Sequence, residues 1–415
     1  MNIHTLTARE ILDSRGNPTL EVVCVLEGGQ RGVASVPSGA STGAHEAVEL
    51  RDGDMHRFRG HGVRTAINHV QTTILQHVHG VGHTQQTLDE ALIALDGTAN
   101  KSRLGANAIL GVSCAFARAA ALVHEQHLYE YIASIAGNTA PLALPMPMFN
   151  IINGGKHADS GLDVQEFMVT PRGIEGFEQQ LQAASEITHT LRGLLHEKGY
   201  SVGVGDEGGF APRLASNEEA LQYIVEAIAA AGYSHDEVQI AMDVAASSLY
   251  SDKTCTLKID GTVQCIAPEE LITWYKDLIT RYPIVSIEDG LPEDDWEGFA
   301  KLTATLGDKI LVVGDDLTVT NTERITTAHE KQAINSVLIK LNQIGTLTET
   351  IRAVQLTQSY GWKPFVSHRS GETTDAFIAD LAVGLGCPYI KAGAPVRGER
   401  VAKYNRLLDI NRHLA

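Results

Sequence analysis

The sequence predicts an α/β protein in which a smaller α+β domain is followed by a closed (β/α) barrel. Short apolar runs recur along the second half of the chain, and each precedes one charged or ionisable residue. Every interval between those residues can hold a helix, and a short apolar strand followed by a helix is the unit of a parallel sheet covered on both faces. Its repetition favours a barrel, with the active site at the carboxyl ends of the strands. The runs are Gln239–Met242 before Asp243, Ile284–Ile287 before Glu288, Ile310–Gly314 before Asp315, Ser336–Ile339 before Lys340, Phe365–Ser367 before His368, and Tyr389–Ile390 before Lys391.

The α+β domain is predicted over residues 1–130. Thr19–Leu26 and Gly32–Val36 are β-rich and flank a turn-like, glycine-containing segment. Apolar residues then follow helical spacing from Val63 to Ile74 and again over Leu104–Leu122. Strands followed by helices are typical of an α+β domain.

The barrel is predicted over residues 140–415, after a linker at Ala136–Pro147 that contains proline and glycine. Its first strands are Met148–Ile152 and Val164–Pro171, and a long amphipathic helix follows at Gly176–Lys198. A chain of 415 residues is too long for one small core, so two domains are expected.

Composition argues against several classes of function. The net charge of −17 disfavours binding to nucleic acid or to an anionic membrane, because neither is attracted to an acidic protein. The five cysteines form no C-x-x-C pair, so neither a zinc site nor a disulfide framework is indicated. Such thiols are typical of a reducing cytoplasm, where we expect this protein. The uncharged segment Leu104–Ala117 is too short to span a bilayer and predicts a buried helix.

Carboxylates at three strand ends predict a metal site. Asp243, Glu288 and Asp315 would meet at one end of the barrel, where a charge costs free energy unless it is paired or bound to a metal. Ligation by oxygen alone selects a hard cation, Mg²⁺ before Ca²⁺ or Mn²⁺. Any one of these carboxylates could instead form a salt bridge or cap a helix, but three at successive strand ends favour the metal.

Two lysines and two glutamates are candidates for acid–base chemistry. Lys340 and Lys391 would face the same pocket, and a lysine beside another cation and metal ions has its pKa lowered toward that of a working base. Glu166 and Glu207 are candidate acids, because a carboxyl group among other carboxylates has its pKa raised. The alternative is that the lysines only neutralise the acids.

A base, an acid and a divalent cation together suit proton abstraction next to a carboxylate, followed by loss of a leaving group. Arg369 and Ser370, directly after His368, supply a bidentate donor and a hydroxyl suited to a phosphate, although Arg369 could equally pair with a carboxylate. The loop Pro37–Gly43 carries small hydroxyl side chains but lacks the G-x-x-x-x-G-K pattern of a P-loop. By itself it could be a surface loop without a ligand.

Five long motifs carry a resemblance to a known family. They are Asp13–Thr19, Val36–Gly43, Gly205–Pro212, Leu338–Gly345 and Ser367–Thr373. These motifs resemble those of the enolase family, and the resemblance covers nearly the whole chain. The family interconverts 2-phosphoglycerate and phosphoenolpyruvate in glycolysis, and its barrel has the order ββαα(βα)₆. Membership would therefore imply a hydro-lyase with an N-terminal capping domain and an eight-stranded barrel, active as a homodimer or octamer.

The resemblance also implies a role for each matching residue. Lys340 would remove the C2 proton, and Glu207, supported by Glu166, would protonate the departing C3 hydroxyl. Two Mg²⁺ ions are implied in each active site, the second arriving with substrate. The implied substrate-binding residues are His157, Gln165, His368, Arg369, Ser370 and Lys391, and His157 is also implied as a catalytic residue. The implied metal ligands are Asp243, Glu288 and Asp315 for the first ion and Ser41 for the second.

Some positions depart from the family pattern, mostly near Lys391. They are Ser248 and Leu249, Cys387–Tyr389, Ala392 and Gly398. These departures leave open a second hypothesis, a paralogue that acts on a related enolpyruvyl or phosphonate substrate in a specialised biosynthetic pathway. A third hypothesis, of another class, is an interaction or scaffold role.

Overall fold

The computed structural model describes residues 1–40, 43–251, 254–259 and 262–414. It confirms the predicted α/β class. A three-stranded antiparallel sheet with helices precedes a closed barrel of eight strands, and a second three-stranded sheet is inserted within the barrel sequence.

The N-terminal domain contains one strand more than predicted, Ile3–Leu12, which pairs antiparallel with the predicted strand Pro18–Leu26. The predicted helical region after Val63 consists of two short α-helices joined by a π-helical turn, Val70–Ile74. The elements are β1 (Ile3–Leu12), β2 (Pro18–Leu26), β3 (Arg31–Ser35), α1 (Arg64–His69), α2 (Leu75–Val78), α3 (Gln85–Asp96), α4 (Ala106–Val123) and α5 (Leu128–Ala136).

Helix α4 is the centre of this domain. Leu20, Val22 and Cys24 alternate along β2 with less buried residues and are 0% exposed, as expected for a strand with one covered face. The helix lies close to this face because Gly32 and Gly111 have no side chain: a Cβ on Gly32 would lie 1.9 Å from the carbonyl oxygen of Ala115. Helix α4 is long and apolar enough to cross a membrane, but 83% of it is buried inside the protein. This packing is that of a core helix.

The barrel has the expected ββαα(βα)₆ order. Strand β5 is antiparallel to both of its neighbours, and the remaining pairs in the barrel are parallel. The barrel strands are β4 (Met146–Asn153), β5 (Glu166–Thr170), β6 (Gln239–Asp243), β10 (Ile284–Glu288), β11 (Leu311–Gly314), β12 (Ser336–Ile339), β13 (Lys363–Ser367) and β14 (Tyr389–Lys391). The strands of the inserted sheet are β7 (Tyr250–Ser251), β8 (Thr254–Ile259) and β9 (Thr262–Ile266). The helices are α6 (Phe177–Glu197), α7 (Asn217–Ala230), α8 (Pro268–Arg281), α9 (Trp296–Leu306), α10 (Thr322–Glu330), α11 (Leu341–Ile344), α12 (Leu347–Ser359), α13 (Phe377–Gly384) and α14 (Gly398–Leu414).

One interval of the barrel differs from the prediction. Between Asp243 and Glu288 the chain forms β7, β8 and β9 before α8, so this interval holds a small antiparallel sheet as well as the expected helix. The interior of the barrel is a separate apolar cluster, as is usual for a packed barrel. Its buried members are Met148, Met168, Ala241, Val313, Leu338 and Phe365.

Two loops of the N-terminal domain lie against the carboxyl end of the barrel. Asp13 organises the first loop: its Oδ1 accepts hydrogen bonds from the amides of Arg15 and Asn17, at 2.9 and 2.8 Å. Its Oδ2 accepts from the hydroxyl of Ser38, at 2.7 Å, which ties the second loop to the first. Ser38 then forms a β-bridge with Gly371 of the barrel. The Asp13 motif therefore holds the capping loops over the site end of the barrel.

Two ion pairs of very different burial join the domains. Arg118 of α4 forms a bidentate pair with Asp375, with both N–O distances 2.6 Å. Burial alone would raise the pKa of Asp375, but Arg118 and two backbone amides hold that pKa below its ordinary value of 3.8. The second pair, Arg352 with Glu90, has an N–O distance of 2.8 Å, but both side chains are 48% exposed.

We expect Arg118→Met to reduce the free energy of unfolding by about 3–5 kcal/mol at pH 7, because it leaves a buried carboxylate without its partner. Arg352→Met is the matched control and should cost less than about 1 kcal/mol, since its pair is exposed. The Arg118 contribution is present above pH 3.8 and is lost as the pH falls through the lowered pKa of folded Asp375. Urea unfolding at pH 7 and below pH 3.8 measures both effects. Equal losses for the two variants would contradict the prediction.

Candidate active site

The carboxyl ends of the barrel strands carry the predicted site residues. Asp243, Glu288 and Lys391 are the last residues of β6, β10 and β14. Glu166 opens the antiparallel strand β5, so it lies at the same end of the barrel and pairs in register with Asp243. The others lie in the loops that follow: His157 and Gln165 between β4 and β5, Glu207 between α6 and α7, Asp315 after β11, Lys340 after β12, and His368, Arg369 and Ser370 after β13.

Most of these side chains line one cavity. Its lining consists of His157, Gln165, Glu166, Glu207, Asp243, Lys340, Ser367, His368, Arg369, Ser370 and Lys391. The buried Oε1 atom of Gln165 has no hydrogen-bond partner among the described residues. A buried acceptor without a partner is costly, so this end of the barrel is suited to a polar ligand that donates a hydrogen bond.

Lys391 lies at the centre of a buried ring of acids. Its Nζ is 2.9 Å from both carboxylate oxygens of Glu288, 3.3 Å from Asp243 and 3.3 Å from Glu166. Burial would lower the pKa of Lys391, but the three carboxylates raise it well above its usual value. Burial also raises the pKa of Glu288, and the neighbouring Asp243 raises it further. One ammonium group therefore faces more negative charge than it can neutralise.

Lys340 contacts the carboxylate of Asp315, whose other oxygen accepts a hydrogen bond from Gln343 at 2.8 Å. The lowered pKa predicted for Lys340 and Lys391 assumed metal ions beside them, and the protein groups alone do not produce it. For Lys340, burial, Arg369 and Lys391 act in the predicted direction, but the contact with Asp315 outweighs them, and the pKa is raised. The direction of the pKa shift of Lys340 therefore depends on which group contacts the carboxylate oxygens of Asp315.

Glu166 and Glu207 form a compact cluster with His157, in which one ligand atom of each lies within 4.8 Å of the others. The expected rise in pKa holds for Glu166, which burial and the Glu207 carboxylate raise well above the usual value. For Glu207 the expectation is wrong. Burial would raise its pKa, but the adjacent His368 and His157 lower it well below the usual range. The two carboxyl groups are thus arranged so that one holds a proton while the other is ionised.

The predicted metal ligands share one end of the barrel but do not form a preformed cage. The acidic groups of the described chain whose ligand atoms converge within 4.8 Å are the Glu166 cluster and a second cluster, Asp289, Asp315 and Asp316. In the second cluster the Asp289 carboxylate has a structural role, because it accepts hydrogen bonds from the backbone amides of Asp315 and Asp316, at 2.9 and 2.8 Å. Asp243 and Glu288 instead hold Lys391.

These residues nevertheless fit a divalent metal ion. Asp243, Glu288 and Asp315 offer only carboxylate oxygens, a donor set that suits a hard cation. Their oxygens already face the ammonium groups of Lys340 and Lys391, so each carboxylate is oriented toward positive charge. A metal ion at this place would compete with both lysines for the same oxygens. Ser41, the predicted ligand of a second ion, lies outside the described residues.

Arg369 and Ser370 are held by the capping loops. Arg369 forms a bidentate pair with Glu46, with N–O distances of 2.9 and 3.1 Å, and donates to Asn342 at 2.9 Å. The hydroxyl of Ser370 accepts a hydrogen bond from the amide of Ala40 at 2.6 Å. Arg369 thus pairs with a carboxylate and also lines the cavity, so its position is compatible with both predicted roles, a structural ion pair and a phosphate donor.

Several residues of the site were not found from the sequence. Asn150 donates to Glu207 at 2.9 Å, Gln343 donates to Asp315, and Arg400 donates to His368 at 2.6 Å. Gln343 lies in the Leu338–Gly345 motif, so a signal for it was present. Asn150 and Arg400 carry no local pattern that distinguishes them from other polar residues on a strand or helix.

The departures from the family pattern do not line the cavity described above. Tyr389 points into the barrel interior, where its ring stacks on Phe365 with centroids 4.5 Å apart. The hydroxyl of Ser248 donates to the carbonyl oxygen of Ala245, at 2.9 Å. Ala392 is buried in the main apolar core. These substitutions therefore act on the packing around the site.

Two family models match the chain. The model described as enolase, N-terminal domain, matches residues 3–132. The model described as enolase, C-terminal TIM barrel domain, matches residues 141–415 and thus contains every predicted strand-end residue of the site.

Proposed function

Because this chain belongs to the enolase family, we propose that it catalyses the reversible, Mg²⁺-dependent dehydration of 2-phospho-D-glycerate to phosphoenolpyruvate. One observation carries the proposal: a base candidate, an acid pair and Asp243 line one cavity, and Glu288 and Asp315 contact the two lysines of that cavity. The proposed setting is glycolysis and gluconeogenesis in the cytoplasm, in a homodimer or octamer with no nucleic-acid or membrane partner.

In the proposed reaction Lys340 accepts the C2 proton of the substrate. This requires a neutral amine, and the pKa of Lys340 is raised chiefly by Asp315. If Asp315 bound a cation, its negative charge would be partly neutralised, and it would then raise the pKa of Lys340 less. Arg369 and Lys391, both close enough to lower the pKa of Lys340, then favour the neutral form.

The leaving group is the C3 hydroxyl, which departs as water once it has received a proton. We assign that proton to the Glu166 and Glu207 pair. The raised pKa of Glu166 and the lowered pKa of Glu207 favour a proton on Glu166 in the substrate-free protein, so Glu166 would pass this proton to Glu207, which donates it to the C3 hydroxyl. The pair is within reach of His157, whose Nδ1 is 3.5 Å from Glu166 and 3.6 Å from Glu207. The proton taken by Lys340 and the proton delivered by the acid pair balance the overall loss of water.

The other cavity residues hold the substrate in this proposal. Arg369 and Ser370 supply donors for the phosphate, as a guanidinium and a hydroxyl do in other phosphate sites. Gln165, His157, His368 and Lys391 complete the polar lining.

Asp243, Glu288 and Asp315 would hold the first Mg²⁺ and Ser41 the second. When bound, the ions would neutralise charge that develops on the substrate carboxylate as the proton leaves, a chemistry general to enolase-superfamily sites.

A steady-state assay tests the proposal directly. We expect the absorbance of the enolpyruvate product to rise when purified protein receives 2-phosphoglycerate and Mg²⁺, to stop when EDTA is added, and to resume with excess Mg²⁺. Ca²⁺ is the control cation: it takes longer metal–oxygen distances and a more flexible shell than Mg²⁺, so it should support less activity. Clean protein without activity would reject the assignment.

The same assay distinguishes the proposed function from the paralogue hypothesis. That enzyme would act slowly on 2-phosphoglycerate and faster on a related enolpyruvyl or phosphonate substrate, whereas the proposed enzyme shows the opposite order. The position of the departures outside the cavity supports the 2-phosphoglycerate reaction.

A further inference from the structure

Arg400 is a fully buried side chain that joins the loops around the acid pair. It lies in the first turn of α14 and is 0% exposed. Its Nη1 donates to the carbonyl oxygen of Arg369 at 2.6 Å, and its Nη2 donates to the carbonyl oxygens of Ser370 and Asp206 at 2.6 and 2.9 Å. The guanidinium therefore connects the loop after β13 with the loop that carries Glu207.

The same guanidinium lies against one nitrogen of His368. Nη1 of Arg400 is 2.6 Å from Nδ1 of His368, whereas Nε2 of His368 is 3.3 Å from Oε2 of Glu207. A guanidinium has only donors. Nδ1 must consequently be the unprotonated acceptor, and in a neutral imidazole the proton then resides on Nε2.

We infer that Arg400 is a positioning residue that holds His368 as the neutral tautomer with its N–H on Nε2, the ring nitrogen that lies nearer to Glu207. The inference rests on the proposed function for its catalytic meaning, but the tautomer itself follows from the geometry. With the proton on Nδ1, two donors would face each other at 2.6 Å, and a charged imidazolium would add a second cation beside the guanidinium. In agreement, burial and the nearby Arg400 lower the pKa of His368 to about 3.

The consequence concerns the acid pair. Oε2 of Glu207 accepts a hydrogen bond from Asn150 at 2.9 Å, and Nε2 of His368 lies 3.3 Å from the same oxygen without a hydrogen-bond partner among the described residues. A proton on Nε2 therefore places a second donor group beside this oxygen, which favours the ionised form of Glu207 while Glu166 keeps the raised pKa. His368 then presents an N–H on the side of Glu207 and does not carry the transferred proton itself.

The backbone around Arg400 leaves room for this arrangement. Gly393 has a φ of +89°, and a Cβ at this position would lie 2.7 Å from Cδ of Arg400 and 2.9 Å from the carbonyl oxygen of Glu207. Any side chain there would displace the guanidinium stem or the Glu207 loop. The glycine thus permits the close approach of both groups.

Nuclear magnetic resonance of the full-length, substrate-free protein tests the tautomer. With ring-¹⁵N histidine, the shifts of the two nitrogens identify which one carries the proton, and His368→Gln assigns the signal. We expect wild-type protein at pH 7 to show only the Nε2–H form. Arg400→Met should shift the signal toward Nδ1–H or a mixture, and Arg400→Lys, which also lacks an acceptor, should retain Nε2–H.

Activity gives the second measurement. Arg400→Met should lower kcat by roughly 100-fold, as expected for a disturbed acid–base group, and Arg400→Lys should recover at least about tenfold of that loss if an ammonium donor suffices. Arg406→Met is the control on the same helix: Arg406 pairs with Asp380 at 2.6 Å, so its loss should leave the His368 signal unchanged.

Two results would overturn the inference: an Nδ1–H signal in wild-type protein, or an unchanged tautomer in Arg400→Met. If Arg400→Met does not fold, the wild-type spectrum and Arg400→Lys still decide. Failure of the dehydration assay would reject the proposed function and leave the tautomer measurement standing, so the two failures are distinguishable.

Discussion

Lys340→Ala is expected to lower kcat about 10³- to 10⁴-fold, because it removes the group to which the C2 proton is assigned. The substrate KM should change much less, since other cavity residues bind the phosphate and carboxylate in the proposal. The enolpyruvate absorbance assay measures both quantities. Exchange of the C2 proton of 2-phosphoglycerate with deuterated solvent should be lost together with turnover.

Lys340→Arg separates a base from a simple positive charge. An arginine retains the charge opposite Asp315 but cannot lose its proton in a protein. If Lys340 is the base, this variant should fold normally and be about as inactive as Lys340→Ala. If the lysine only neutralises the acids, Lys340→Arg should keep most of the wild-type rate, and the proposed mechanism would be wrong.

Lys391→Met is expected to destabilise the metal-free protein by about 3–5 kcal/mol, because it leaves buried carboxylates without their cation. Three acids within 3.3 Å of the Lys391 ammonium would lose their shared partner. Mg²⁺ should raise the stability of the variant more than that of wild type, since a bound ion would restore positive charge at the same oxygens. Urea unfolding in EDTA and in Mg²⁺ measures the difference.

The loss should depend on pH in a defined direction. The pKa values of Glu166 and Glu288 are already raised above the ordinary value of 4.5 by burial and neighbouring carboxylates, and removal of Lys391 raises them further. The deficit should therefore grow as the pH rises through these raised pKa values and shrink as it falls, when the carboxyl groups take up protons. Lys301→Met, which breaks an exposed pair with Glu269, is the control and should show neither effect. A Lys391→Met protein as stable as wild type in EDTA would contradict the prediction.

Elements with a strong apolar pattern were predicted well. Strands β6, β10, β11, β12, β13 and β14 lie where an apolar run precedes an ionisable residue, because a strand buried on both faces needs a continuous apolar sequence. Strand β1 was missed, since it contains Thr5, Thr7, Arg9 and Glu10 and buries few apolar side chains. Pairing with β2 makes this segment a strand, although its own sequence has no clear strand pattern. Strand β9 was missed for a similar reason, because four of its five residues are exposed.

The composition of the site was predictable, but its electrostatics were not. The strand order brings Lys340 next to Asp315 and Lys391 next to Glu288, as the barrel geometry implies. Among the protein groups alone, the pKa of Lys340 is nevertheless raised and that of Glu207 lowered, each opposite to the direction expected. Each depends on neighbours at close range, Asp315 for the lysine and His368 with its N–H donor for the glutamate, and such polar interactions change strongly over a few ångströms.

By itself, the sequence determined the barrel, the end of it at which the candidate site lies and the residue types found there, because local periodicity and strand length are properties of consecutive residues. Only the tertiary structure decided which charge faces which. Arg400 and His368 are 32 residues apart, and Lys391 and Glu166 are 225 apart. Contacts across such separations are made when the chain folds back on itself, so the protonation state of each group is a property of the assembled site.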